Sequence, residues 1–185
     1  RYDYLLRDKD VIKGAKGNFL EELCRHHVSG QLKIAPEHIS EKVLKVMGKP
    51  GKEVYLDFKK RFGAMNRNIG KKQFIIPYFI SAHPGSTLKE AIELALFLKS
   101  EGFIPDQVQD CYPTPGTLST CIYHTGFDPF TGEEIYVPKT IEEKREQKAL
   151  IHFHKAENYN LVKKTLIKAG RKDLIGNRKN CLIPE

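Results

Sequence analysis

No apolar run in this sequence approaches the roughly 18 residues that a membrane-spanning helix requires, which excludes a helical membrane protein. Cysteine is scarce. Cys24, Cys111, Cys121 and Cys181 lie 87, 10 and 60 residues apart, neither the density of a secreted disulfide scaffold nor a Cys-x-x-Cys metal framework. A reducing cytoplasm is the expected location. Internal repeats and low-complexity segments are also lacking. The 185 residues are enough for one domain or a little more, but too few for a complete eight-stranded βα barrel, which needs about 250. What is present, 40% hydrophobic and 29% charged residues, excludes a disordered chain. The first residue is Arg1 rather than methionine, so the chain is expected to be a piece of a longer protein, and the lack of a signal peptide is uninformative.

The net charge of +8 is unevenly placed. Residues 1–138 carry 19 Lys/Arg against 17 Asp/Glu, whereas residues 139–185 carry 12 against 6, so +6 falls in the last quarter. Two compositional regions are implied.

From Asn18 to Cys111 helix and strand periods alternate. Asn18 can cap a helix carrying Phe19, Leu20, Leu23, Cys24 and His27 at one-turn spacing. Gln31–Ala35 reads as a strand. Ser40 opens a helix with Val43, Leu44 and Met47, and a further helix places Val54, Phe58, Phe62 and Met65 on one stripe. Residues 74–80 are apolar without alternation, as in a strand buried on both faces, with a bulge or break expected at Pro77. Thr87 and Glu90 form a capping box for a helix whose Leu88, Ala91, Ile92, Ala95 and Leu98 face inward, and Asp106–Cys111 reads as the next strand. Helical crossovers between strands require parallel pairing, so this block is βαβαβ. Three strands leave two open edges, unusual for a finished parallel sheet.

After Cys111 the pattern changes. Residues 112–116 and 128–132 are turn-rich, and Ile135–Val137 reads as a short strand. Thr140 and Glu143 cap a helix to about His152, and Asn158 opens another with Leu161, Val162, Leu166 and Ala169 on its face. The last 47 residues read as a basic helical hairpin with an irregular tail.

Three loops stand at the carboxyl ends of the strands, where α/β sheets place their chemistry: Ala35–His38, Ser81–Gly85 and Cys111–Pro113. Each sets a polar or titratable side chain beside a proline. The alternative reading is that the prolines and Gly85 only shape turns.

Taken in order, Arg1-Tyr2-Asp3, residues 32–38, Met47-Gly48-Lys49-Pro50-Gly51, residues 76–85, residues 106–110 and Tyr123-His124-Thr125-Gly126 resemble consecutive signatures of the YgiQ-type radical S-adenosylmethionine (SAM) proteins. The resemblance continues into Asp173–Gly176 and Cys181–Pro184. It implies an α/β fold, the C-terminal half of a partial, TIM-like βα barrel with parallel strands (residues 1–125), followed by a basic helical extension (residues 126–185). Such proteins hold a [4Fe–4S] cluster on a Cys-x-x-x-Cys-x-x-Cys loop and cleave SAM to a 5′-deoxyadenosyl radical. No three cysteines here have that spacing. The implied chain is therefore inactive alone and lacks the N-terminal half that would bring the cluster ligands.

By position in the family, Arg1 is a candidate for the methionine carboxylate or a ribose hydroxyl of SAM, Ile34 and Glu37 for the fifth-strand contact, and Phe79, Ser81 and His83 for the adenine edge. His38, Tyr112 and His124 are candidates for facing an unidentified substrate. The same residues have ordinary readings: Ile34 and Phe79 as core, Arg1 as a frayed terminus, and Glu37 as a cap with Ser40 for the following helix.

Two other functions compete. Cys24 with His27, and His152 with His154, could be metal-ligand pairs, but their spacing lacks the tight framework of a zinc site and no metal site is expected. RNA binding through the basic residues between 163 and 179 is the alternative function. Against it, no aromatic follows Tyr159 to stack on unpaired bases.

Overall fold

Two capping boxes and a short parallel sheet set the frame of the chain. The computed structural model describes residues 1–6, 19–106 and 108–185. The sheet has three parallel strands in the order β1 (Gln31–Glu37), β2 (Phe74–Ser81), β3 (Gln109–Asp110), a mixed α/β arrangement consistent with a partial βα barrel. The chain divides into two compact units: Arg1–Glu37 with Pro50–Tyr78, and His38–Lys49 with Phe79–Glu185.

In the first unit, helix α1 (Phe19–Glu22) runs into a wider π-helical turn at Leu23–His27. The Asn18 cap expected from the sequence lies outside the described residues. The turn leaves carbonyls without helical partners, and the Gln73 amide donates to those of Cys24 (2.7 Å) and Val28 (2.5 Å). Helix α3 (Lys52–Ile69) buries Tyr55, Phe58, Phe62 and Asn66, so its inward stripe keeps Phe58 and Phe62 but replaces Val54 and Met65 by the residues one position on. The shift follows Tyr2, which packs against Tyr55 and Phe58 with ring centroids 6.2 and 5.7 Å away.

Strand β2 corrects two expectations. It runs unbroken through the buried Pro77, which lies outside the stretch paired with β3. Nor is it buried on both faces: Phe74 is 63% exposed and Tyr78 38%. Strand β3 is shorter than expected, pairing only Ile80 with Gln109 and Ser81 with Asp110, and Gln107 lies outside the described residues. The amide of Cys111 continues the ladder by donating to the Ser81 carbonyl at 2.7 Å.

In the second unit, helix α2 (Glu41–Val46) follows Ser40, whose side chain makes no capping bond. Thr87 and Glu90 complete the expected capping box of α4 (Leu88–Ser100), an arrangement worth about 1 kcal/mol. Helix α4 buries two sides. Leu94 and Leu98 join Ile39, Phe79, Val108 and Ile151, while Ala91, Ile92 and Ala95 join Ala149, Leu150, Val162 and Leu166. Helices α6 (Ile141–Ile151) and α7 (Tyr159–Lys168) form the expected hairpin, with a second box at Thr140 and Glu143. Asn158 precedes α7 but spends its amide on the His152 carbonyl (3.1 Å) rather than on a cap.

Two elements differ from the sequence reading. Ile135–Val137 is not a strand; the chain there makes one antiparallel bridge, Phe127 to Glu134, and the Tyr136 carbonyl accepts from Gly85 N (2.7 Å). An unexpected helix, α5 (Leu118–Thr125), follows the proline-rich loop, capped by Thr117 and closed by Gly126 at φ 79°. The tail is irregular, as expected, and it packs on the core: Leu174, Leu182 and Ile183 join the cluster of α4, α6 and α7, and Ile175 bridges Ile183.

Candidate functional site

The carboxyl ends of β1 and β2 share one backbone device. Glu37 (φ 64°) and Ala82 (φ 58°) are the non-glycine residues at positive φ among the described residues, and each directly precedes a buried histidine. Left-handed backbone at such residues costs on the order of 1 kcal/mol and is held only where surrounding contacts over-determine it. Here it turns His38 and His83 inward within the second unit.

His38 is 2% exposed, and its Nδ1 accepts the Ser40 amide at 3.0 Å. Burial, reinforced by the neighbouring His83 and only partly offset by Glu90, lowers its pKa to about 3. The ring is neutral at physiological pH with its proton on Nε2. His83, 3% exposed, is held at both nitrogens: Nδ1 lies 2.7 Å from the Pro84 carbonyl and Nε2 2.8 Å from Ser119 Oγ. A carbonyl only accepts, so Nδ1 carries the proton and Nε2 accepts the Ser119 hydroxyl. A serine hydroxyl directed at an imidazole lone pair is the geometry of a hydroxyl and its base.

Beside this pair, Ser81 donates to Asp110 Oδ1 at 2.6 Å, and Lys148 Nζ stands 3.8 Å from Asp110 Oδ2. Phe79 is buried in the core. The second unit therefore gathers Phe79, Ser81, His38 and His83 about the strand ends. Tyr112 and His124 are placed differently: Tyr112 is 83% exposed in the loop after Cys111, and His124 is exposed at the end of α5, edge-on to Tyr123. Arg1, Ile34 and Glu37 belong to the first unit, where Arg1 makes a bidentate pair with Asp3 (3.1 and 2.8 Å).

Sequence reasoning missed Ser119, Asp110 and Lys148. Asp110 was within reach, since it lies one residue before the end of a predicted strand. Ser119 was hidden with α5, although Thr117 and Gly126 bracket a helix by the usual cap signals. In the basic tail, Lys168 places Nζ 2.9 Å from both oxygens of the buried Glu146, and Arg171 pairs with Asp173, so part of that charge is locally compensated. No group of three or more His, Cys, Asp or Glu among the described residues could hold a metal ion. No helix among them is long and apolar enough to cross a membrane.

The fold and site thus define an α/β protein with a histidine-lined carboxyl edge on a parallel sheet. A family model described as a domain of unknown function (DUF3362) matches residues 106–185. Over its whole length the chain is similar to proteins named UPF0313. It is 56% identical over 184 residues to one from Clostridium botulinum (strain Loch Maree / Type A3), covering 100% of this chain and 28% of that protein. It is 54% identical over 183 residues to one from Clostridium perfringens (strain 13 / Type A), covering 99% and 27%. The chain spans little more than a quarter of the length of these curated relatives.

Proposed function

We propose that this chain is the C-terminal part of the catalytic barrel of a YgiQ-type radical SAM protein (residues 1–125) with that family's C-terminal extension (residues 126–185). The observation that carries the reading is the pair of strand ends, each with a left-handed residue followed by a buried, internally bonded histidine, on a short parallel sheet of partial-barrel type. The UPF0313 name of the similar proteins, a YgiQ-family designation, supports it.

SAM and a [4Fe–4S] cluster would supply a 5′-deoxyadenosyl radical in the whole protein. The residues present do not fit the cluster: Cys24 and Cys181 are buried, Cys111 half-buried and Cys121 exposed, and the described residues offer no clustered ligand set. They do fit a wall facing a reactive intermediate. Buried Phe79, the Ser81–Asp110 bond and the doubly bonded His83 leave few loosely held groups.

The test is anaerobic reconstitution of the full-length protein with iron, sulfide and reductant, followed by chromatography of 5′-deoxyadenosine after addition of SAM. Turnover is expected from the full-length protein and none from the 185-residue chain. Turnover by this chain alone, or a cluster-loaded full-length protein that leaves SAM intact, would refute the proposal.

A further inference from the structure

Helix α6 carries Arg145, Lys148 and Ala149 on one face at i, i+3 and i+4 spacing, and its C-cap residue His152 follows them. That face lines an open cavity of about 510 Å³, bordered also by Val108 beside β3, Lys155 in the α6–α7 connection and Leu161. All of these residues belong to the second unit. The volume is in the range of small-molecule sites.

The polar groups of this cavity are poorly matched within the chain. Neither Arg145 nor Lys155 has a carboxylate partner within ion-pair distance among the described residues, and Lys148 reaches Asp110 only at 3.8 Å. His152, just 6% exposed, has no hydrogen-bond partner at Nδ1. Buried polar atoms left unpaired are uncommon and call for a physical reason. Asp106 and Glu157 supply opposing charge on the cavity wall, leaving the three cations in excess by one.

The connection bearing Lys155 is held rigidly. Lys155 N and the Asn158 amide both donate to the His152 carbonyl at 3.1 Å, and Asn158 N donates to the Lys155 carbonyl at 2.9 Å. The cations are therefore displayed on a fixed frame, which lowers the entropic cost of capturing an anion.

We infer that this cavity binds a phosphomonoester of a small organic molecule, with Arg145, Lys148 and Lys155 converging on the phosphate and Val108, Ala149 and Leu161 contacting the apolar part. A compact dianion answers three cations better than a single carboxylate, and guanidinium matches phosphate geometry through paired donors. The apolar floor and the volume favour an organic phosphate over the inorganic ion. The inference does not rest on the radical SAM reading, although Lys148 also reaches Asp110 at the strand ends, and the cavity lies wholly within the stretch matched by the domain of unknown function.

The test is titration of the protein with AMP, inorganic phosphate and a single-stranded RNA oligonucleotide, read by amide NMR shifts of Lys148, Ala149 and His152 and by calorimetry. Saturable shifts at these amides are expected, with AMP tighter than phosphate. The double variant Arg145→Gln, Lys155→Gln should weaken AMP at least about tenfold. The charge-matched control Lys163→Gln, Lys179→Gln, both outside the cavity, should change it less than about twofold and shows that the fold tolerates two lost cations. Equal weakening in the two double variants, shifts that do not saturate, or RNA that binds without being displaced by AMP would each overturn the inference.

Discussion

Burial of His38 makes stability depend on pH between the ring's ordinary pKa and its lowered one. The ordinary value of 6.5 describes the unfolded chain and about 3 the folded one. Because the folded value is depressed, the unfolded state takes up the proton first. The stability is whole above pH 6.5, declines as pH falls below it, and the loss is complete near pH 3. A tenfold difference in proton affinity between the two states is worth about 1.4 kcal/mol, so the loss between pH 8 and pH 5 is about 2 kcal/mol and approaches about 5 kcal/mol at the acid limit. Urea denaturation at pH 8, 6.5 and 5 measures this directly when wild type is compared with His38→Asn, whose side-chain oxygen keeps an acceptor for the Ser40 amide. The lowered pKa values of His152 and His154 act in the same direction in both proteins and cancel in the difference. The expected result is that wild type loses about 2 kcal/mol more than the variant. Equal pH dependence in the two proteins, or an NMR titration of the His38 ring near pH 6.5, would refute the argument.

Gly85 has φ +88°, and an added Cβ would lie 3.1 Å from Val46 Cγ2, so Gly85→Ala should cost about 1–2 kcal/mol in urea denaturation. Val46→Ala in that background should relieve the contact but not the backbone cost. Lys168→Met leaves the buried Glu146 carboxylate without its 2.9 Å partner and should destabilise by about 2–3 kcal/mol at pH 7, an effect shrinking when Glu146→Gln is added. Glu143 is held at about 2 by Thr140 and by the Tyr136 hydroxyl 2.6 Å away. Tyr136→Phe should raise that carboxyl toward the ordinary glutamate range, visible in its side-chain carbon shift, and the acid loss of its contribution should then be complete at a higher pH.

The two threonine capping boxes and the α4 face were legible because their signals are local. They need only a hydroxyl, a carboxylate three residues on and an apolar stripe. What failed depended on neighbours. Residues 135–137 have strand composition but pair with no strand among the described residues, and Phe74 reads as core although its side of β2 is thinly covered. Helix α5 was masked by the prolines ahead of it. At the site, rules about strand ends pointed to His38 and His83. The hydroxyl of Ser119, 36 residues from its imidazole partner, depends on tertiary folding that no local pattern encodes. The Arg145–His152 face was visible as spacing, yet its meaning required the cavity it borders.

Helix α4 contributes to two apolar clusters at once, one reaching Phe79 on β2 and the other reaching the C-terminal tail. Its amides, and those of α6, which joins both clusters through Ile151 and Leu150, should exchange with deuterium only when the whole second unit opens. The segment matched as a separate domain, residues 106–185, is therefore expected not to fold without α4. Cut free of α4 it would expose Leu150, Val162 and Leu166, and insertion or shuffling of this segment in evolution would have had to carry the preceding helix along with it.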